Sequence, residues 1–252
     1  MAGYGSFYWY YDRLTENVDY PARAAYFDQL VQKWVQRPVE LLLDLACGTG
    51  SLSLELYKLG YDVIGVDGSD EMLSVAIEKK YDNKADIMFL RQEMDKLDLY
   101  GTIDVTVCAL DSINHITDPK VVQKVFDRVS LFTAPGGIFI FDVNTPYKHR
   151  EVLRDNTFVY EYDDLFCCWQ NVCEDGENVD ITLDIFAKEE GEKTWERYSE
   201  SFSERAYDHE AILRFLENSG MKLLAVYGED TMEEPTETTQ RAIYVALQPN
   251  PR

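Results

Sequence analysis

An apolar run, Leu41-Leu42-Leu43-Asp44-Leu45, breaks into Ala46-Cys47-Gly48-Thr49-Gly50 and then into the helical pattern Ser51-Leu52-Ser53-Leu54-Glu55-Leu56. Strands covered on both faces lack in–out alternation, so such a run specifies a buried parallel strand. Gly48 and Gly50 permit a tight turn and close approach of the backbone to a ligand. The helix expected from about Thr49 to Leu59 closes at Gly60, a natural C′ residue. Strand, glycine turn and helix N-terminus together make the nucleotide-type cradle of doubly wound sheets.

The chain repeats this alternation. Asp62-Val63-Ile64-Gly65-Val66-Asp67 is a second strand ending in an acid, and Ser69 caps a helix with Asp70 and Glu71 in its first turn. Asp86–Leu90 and Ile103–Cys108 give strands three and four. Asp118 and Pro119 open a helix built on Val121, Val122, Val125, Phe126 and Val129. Pro135-Gly136-Gly137 turns into strand five, Ile138–Asn144. This order predicts an α/β fold, a parallel sheet with helices on both faces. Ligands of such sheets bind outside the carboxyl ends of the strands, where Asp44, Asp67, Glu93, Leu110 and His115 all fall. A carboxylate at Asp67 can accept both ribose hydroxyls of an adenosine.

From about 157 to 204 the period changes to two. Val179, Ile181, Leu183, Ile185 and Ala187 alternate with Asp180, Thr182, Asp184, Phe186 and Lys188. Glu174-Asp175-Gly176-Glu177 and Glu189-Glu190-Gly191-Glu192 read as hairpin turns, so this stretch is an antiparallel meander inserted after strand five. A helix over Ala206–Ser219 and two strands, Lys222–Tyr227 and Arg241–Leu247, finish the chain. Residues 1–20 are aromatic (Tyr4, Phe7, Tyr8, Trp9, Tyr10, Tyr11, Tyr20), and Pro21 opens a helix to about Gln36 with Asp19 as N-cap. The arm either packs over the domain or closes as a lid over the ligand. The expected division is 1–36 for arm and helix, 37–155 with 205–252 for the sheet, and 156–204 for the insertion.

A net charge of −22 repels a phosphate backbone, and no Lys/Arg cluster offsets it, so nucleic acid is disfavoured as a partner. No apolar run approaches the roughly 20 residues of a membrane span, and the first residues lack signal-peptide character. Five cysteines and three histidines show no zinc spacing, which implies free thiols in a reducing cytoplasm and no bound metal.

The cradle departs from the dinucleotide fingerprint G-x-G-x-x-G, since Ala46 holds its first place and Ser51 stands where its third glycine belongs. Asp44-x-Ala46-x-Gly48-x-Gly50 instead resembles the first motif of class I S-adenosylmethionine (SAM)-dependent methyltransferases, with Ala46 replacing its first glycine. The resemblance extends along the chain and implies the Rossmann-like seven-stranded sheet of that family, its last strand antiparallel. It is similar to bacterial methyltransferases and, more distantly, to sugar amine N-methyltransferases, through Tyr10-Tyr11-Asp12, through Ser112-Ile113-Asn114-His115-Ile116-Thr117-Asp118, and through the β insertion. It implies SAM as cofactor, S-adenosylhomocysteine as product, and a small-molecule acceptor such as an amine or amino sugar. Cofactor contacts are then expected from Tyr11, Tyr20, Asp44, Ala46, Cys47, Gly48, Gly50, Asp67, Gly68, Met72, Glu93, Met94 and Leu110. Glu93 and Met94 match the loop that meets the adenine. Tyr11 and His115 are the candidates on the acceptor side.

His115, with an unperturbed pKa of ~6.5, can accept a proton from an amine or hydroxyl at neutral pH, or it can simply orient a partner. Arg205 and Arg241 can hold an anionic substrate group or balance carboxylates. Three functions are compatible with these residues: methyl transfer to nitrogen or oxygen, SAM binding without catalysis, and a nucleotide-dependent oxidoreductase. A monomer and a homodimer are both compatible with the sequence.

Overall fold

In the computed structural model, which describes residues 8–188 and 194–250 without the Trp9 side chain, Leu41–Leu45 forms β1 at the middle of a seven-stranded sheet. β2 (Asp62–Asp67) and β4 (Ile103–Cys108) flank it in parallel, and β3 (Met88–Arg91) lies beyond β2. β5 (Thr133–Asn144) follows β4, and β11 (Arg241–Leu247) is inserted antiparallel between β5 and β10 (Lys222–Gly228). The order β10-β11-β5-β4-β1-β2-β3 is a doubly wound α/β sheet, as expected. Register pairs Asp44 with Gly65 and Val107, and Asp67 with Arg91, so the two acids emerge along one edge.

Helices cover both faces. α2 (Tyr20–Trp34) and α3 (Ser51–Lys58) bury Phe27, Leu30, Leu52 and Leu56 on one side. α5 (Pro119–Phe132) and α6 (His209–Asn218) bury Phe126, Val129 and Phe215 on the other. There the Phe126 ring meets the edges of Phe139 and Phe141 with centroids 5.6 and 5.2 Å apart. The expected caps are made. Asp19, Ser69 and Asp118 accept from the amides of Ala22, Met72 and Lys120, opening α2, α4 (Asp70–Asp82) and α5. The helix begins at Ser51, two residues after the expected Thr49, with Gly50 as its N-cap.

Strand five runs longer than its apolar stretch. Pro135-Gly136-Gly137 is absorbed as an irregularity within β5, where the pairing steps from Ile103 with Thr133 to Val105 with Ile138. A Cβ on Gly137 would lie 2.6 Å from the Asp104 carbonyl oxygen, so only glycine fits that approach. A π-helical turn, Lys148–Leu153, follows; its apolar spacing gave no sign of it.

The inserted segment forms a second, antiparallel sheet of β6 (Thr157–Glu161), β7 (Leu165–Val172), β8 (Asn178–Ala187) and β9 (Glu196–Arg205). Val179, Ile181, Leu183, Ile185 and Ala187 are its buried face. The turn after β7 is set by the Asp175 carboxylate, which accepts from the amides of Glu177 and Asn178, with Gly176 left-handed at φ +77°. The second expected turn, Glu189–Glu192, lies outside the described residues, as do Tyr4 and Phe7 of the arm.

The described part of the arm is a helix, α1 (Tyr8–Leu14), which the aromatic run alone did not reveal. Tyr8, Tyr10, Tyr11 and Leu14 pack against the buried face of the inserted sheet. Arg13 binds both oxygens of Asp164 at 3.0 and 2.7 Å, and Tyr162 donates to the Arg13 carbonyl. All five cysteines are free thiols, and among the described residues no helix is long and apolar enough to cross a membrane.

Candidate active site

The loop between β1 and α3 is held in left-handed backbone at three alternate residues, Ala46, Gly48 and Gly50 (φ +61°, +53° and +73°). Alanine at the first of them accepts a strain of about 1 kcal/mol that glycine would avoid. A Cβ on Gly48 would point into open space, whereas one on Gly50 would lie 2.9 Å from the Ala76 Cβ and 3.0 Å from the Phe89 ring. Gly48 thus leaves room above the loop, and Gly50 lets α3 and α4 pack beneath it.

Asp67, at the end of β2, ties this loop down. Its carboxylate accepts from the Gly48 amide at 2.8 Å and from the Ser69 amide at 2.9 Å. Burial raises its pKa, the amides of Ser69, Gly48 and Gly68 oppose that, and the Glu93 charge adds to it. Glu93 lies against Gly68, where a Cβ would come within 3.1 Å of its Oε2, so glycine is what lets the second acid approach. Met94, beside it in the short 3-10 helix Met94–Lys96, is buried. Asp44 is buried at the end of β1 with Ser53 donating to it at 2.5 Å, and burial pushes its carboxyl up to about 7.

The arm crosses this loop. Thr49 donates to Asp12 Oδ1 at 2.6 Å, and Lys79 of α4 pairs with Asp12 Oδ2 at 2.6 Å. Lys79 also donates to Ser51 at 2.6 Å and Thr49 at 3.0 Å. Tyr11 and Tyr20 therefore line the same cleft as Ala46, Cys47, Gly48 and Leu110.

After β4, Leu110 and Asp111 are both left-handed (φ +56° and +54°), and both amides donate to the buried Asp142. Arg241 bridges Asp142 at 2.6 Å and Asp111 at 2.7 Å, with Arg23 on Asp142 at 3.4 Å. Arg241 thus balances carboxylates. Arg205 does the same at the surface, on Glu177 at 3.0 Å. Burial alone would raise the Asp111 carboxyl; the charges of Arg241, Lys148 and His115 outweigh it and hold it well below the usual range.

His115 sets its ring 5.1 Å from that of Phe202 of the inserted sheet, tilted by 36°, and its Nε2 3.6 Å from Glu204 Oε1. The Asn144 amide donates to Asp111 at 3.0 Å and to Glu204 at 3.3 Å, linking the two acids. Asp111, His115 and Glu204 could in principle surround a cation. However, Asp111 is already neutralised by Arg241, with Lys148 donating to Asn144 at 2.9 Å, so the protein supplies its own counter-charges there.

The structure therefore gathers Tyr11, Tyr20, Ala46, Cys47, Gly48 and Leu110 around one cleft with Asp44, and sets Asp67 and Gly68 beside Glu93. Met72 packs instead with the core of the inserted sheet, Met94 is turned into the main core, and Gly50 serves helix packing. Asp12, Lys79, Asp111, Asp142, Asn144 and Glu204 were missed. Asp142 had a signal, for it ends strand five as Asp44 and Asp67 end strands one and two; Glu204 sits in a charged alternation that hides it.

A glycine loop with an acid beneath it and a second acid at the end of the next strand fits the adenosine, amine and sulfonium of SAM. A methyltransferase-domain family description matches residues 42–137. YqeM of Bacillus subtilis (strain 168), named as a methyltransferase without an acceptor, is 32% identical over 239 residues, 90% of this chain and 96% of its own. The crystal structure of a SAM-dependent methyltransferase from Clostridium acetobutylicum ATCC 824 superposes with a TM-score of 0.89 at 31% identity, covering 98% and 99% of the two chains. The sugar N-methyltransferase KedS8 from Streptoalloteichus sp ATCC 53650 shares the fold at TM-score 0.77 and 19% identity, over 95% and 93%. The chain belongs to the class I SAM-dependent methyltransferases, and its cofactor is SAM.

Proposed function

We propose that this protein transfers the methyl group of SAM to a nitrogen or oxygen of a small molecule, with an amine as the favoured acceptor. One observation carries the reading: Leu110 lines the cofactor cleft, while the next residue, Asp111, belongs to the cluster with His115 and Glu204. Cofactor and acid–histidine cluster are thus one residue apart. Bound SAM supplies a methyl carbon already activated by its sulfonium. The protein's part is to align the acceptor and to exclude water, for which Tyr11 and Tyr20 on the arm and the inserted sheet above are suited. The arm and α2 act as the lid, and the inserted sheet roofs the acceptor pocket. His115 takes the proton that the acceptor nitrogen must lose. KedS8, a sugar N-methyltransferase by name, supports an amino sugar as a starting point. Five unpaired thiols favour a cytoplasmic setting.

The test is S-adenosylhomocysteine formation, followed by mass detection, over a panel of amino sugars, amino acids and hydroxyl acceptors. Turnover on an amine, reduced at least tenfold in His115→Ala with SAM binding intact, supports the reading. SAM binding with no product on any acceptor would identify a non-catalytic binder.

A further inference from the structure

Behind His115 lies a second histidine that the methyl-transfer scheme does not use. His149, in the π-helical turn, is fully buried, and its Nδ1 lies 3.0 Å from the Glu177 carbonyl oxygen. A carbonyl only accepts, so that nitrogen carries the proton and donates. The other nitrogen, Nε2, is buried, has no hydrogen-bond partner among the described residues, and lies 3.8 Å from Glu204 Oε2. In the neutral ring Nε2 is a lone pair, which repels a carboxylate. The two groups attract only if one proton lies between them, on either oxygen or nitrogen. Glu204, itself 4% exposed at its side chain, is thus placed between two imidazoles, His115 on Oε1 and His149 on Oε2.

We propose that Glu204 and His149 share one buried proton, and that by moving it they make Glu204 the charge-setting partner of His115. In the resting site the proton is on Glu204, which donates to His149 Nε2 once the 3.8 Å gap between them closes to hydrogen-bonding distance, and an uncharged carboxyl faces His115. When His115 takes the acceptor's proton, the Glu204 O–H bond breaks and an N–H bond forms at His149 Nε2. A carboxylate then faces the new imidazolium. Two protons move and none is gained or lost, and the charged His149 ring has both nitrogens donating, to Glu177 and to Glu204. The proposal rests on the reading of His115 given above.

The surroundings favour this resting state. Burial raises the Glu204 carboxyl, and the charge of Asp111 adds to it, while His115 and Lys148 oppose. Burial lowers the His149 ring, with the Glu177 hydrogen bond and Asp111 opposing and Lys148 assisting. Arg241 faces this group through Asp111, which it holds anionic. The two neighbouring acids are thus pushed in opposite directions, Asp111 down and Glu204 up, the kind of separation that assigns distinct acid and base roles.

The chain has three histidines, so ring-nitrogen NMR of the protein saturated with S-adenosylhomocysteine resolves each of them and needs no acceptor. The expected result at neutral pH is His149 uncharged with the proton on Nδ1 and a hydrogen-bonded Nε2. Glu204→Gln, whose amide can still donate, keeps that signature; Glu204→Leu, which cannot donate, shifts the Nε2 resonance toward a free lone pair. S-adenosylhomocysteine affinity stays within about twofold in both variants, which reports that they fold. With the amine found by the acceptor panel, Glu204→Gln lowers kcat at least tenfold and changes its pH profile while KM for SAM holds. A proton on Nε2, a charged His149 in the resting protein, or an Nε2 resonance indifferent to Glu204→Leu would overturn the shared proton. An unchanged kcat profile in Glu204→Gln would overturn its role. Absence of turnover on every amine would refute the functional reading and with it the catalytic role, while the NMR result would still decide the proton.

Discussion

Asp67 Oδ2 accepts the Gly48 amide at 2.8 Å, joining the end of the second strand to the loop that follows the first. The bond fixes the cradle from below with a group whose other oxygen holds the Ser69 amide at 2.9 Å, at the start of α4. One carboxylate therefore sets the positions of two helix entrances. The geometry of this cradle is a property of the main chain as much as of any side chain.

The two loop glycines should respond differently to alanine. Gly48→Ala meets no atom within 4 Å and bears only left-handed strain, so it should lose about 1 kcal/mol. Gly50→Ala adds contacts of 2.9 and 3.0 Å to the same strain and should lose about 3 kcal/mol or more. Urea denaturation followed by circular dichroism distinguishes them; equal losses would contradict the assignment of Gly50 to helix packing.

The arm is fastened to the cradle by charge. Asp12→Asn weakens the pair with Lys79, whose side chain is 24% exposed, and leaves the Lys79 contacts to Thr49 and Ser51 in place. If the arm closes over SAM, affinity for SAM should fall about fivefold to tenfold while the unfolding midpoint moves little, a partly exposed pair contributing about 1 kcal/mol or less. Titration calorimetry reads the first and thermal denaturation the second.

Arg241 is buried between Asp111 and Asp142, and Asp142 in turn holds the left-handed Leu110–Asp111 step. Arg241→Gln leaves the part-buried Asp111 without its guanidinium and the buried Asp142 with Arg23 alone, and breaking a buried pair in this way typically destabilises by about 3–5 kcal/mol. Chemical denaturation should show that loss. Arg241→Lys, which keeps the charge but not the fork, should recover part of it.

Asp44 makes stability fall with rising pH. Its folded pKa is raised to about 7, above that of the unfolded chain, so between about pH 4 and pH 7 the folded state keeps a proton that the unfolded state has released. Unfolding then becomes easier as pH rises through that window, by about 1.4 kcal/mol per unit of separation at most. Asp44→Asn removes this dependence. The difference in unfolding free energy between Asp44→Asn and wild type should grow by about 2–4 kcal/mol from pH 4 to pH 8. A difference constant with pH would refute the shift.

The succession of strands and helices was readable because each element carried its own signal. Leu41–Leu45 lacked alternation, Val179–Ala187 had it, and Asp19, Ser69 and Asp118 stood where helices begin. The position of the β1–α3 cradle was legible for the same reason, since Asp44, Gly48 and Asp67 occupy fixed offsets from strand ends. The cluster around His115 was not. Glu204 reaches His115 only because β9 is brought over the loop after β4, and His149 only because an unforeseen π turn carries it inward. Such contacts depend on tertiary folding across 55 to 89 residues, and no local spacing encodes them. Asp12 was equally hidden, for nothing in Tyr10-Tyr11-Asp12 points to Lys79.

The central claim is that the loop held by Asp67 is the SAM site of this chain. Titration calorimetry of wild type and Asp67→Ala with SAM, S-adenosylhomocysteine and NAD(P)H tests it most directly. The account predicts micromolar binding of the first two to wild type, a loss of at least a hundredfold in Asp67→Ala, and no binding of NAD(P)H. Unchanged SAM affinity in Asp67→Ala, or binding of NAD(P)H in place of SAM, would contradict it.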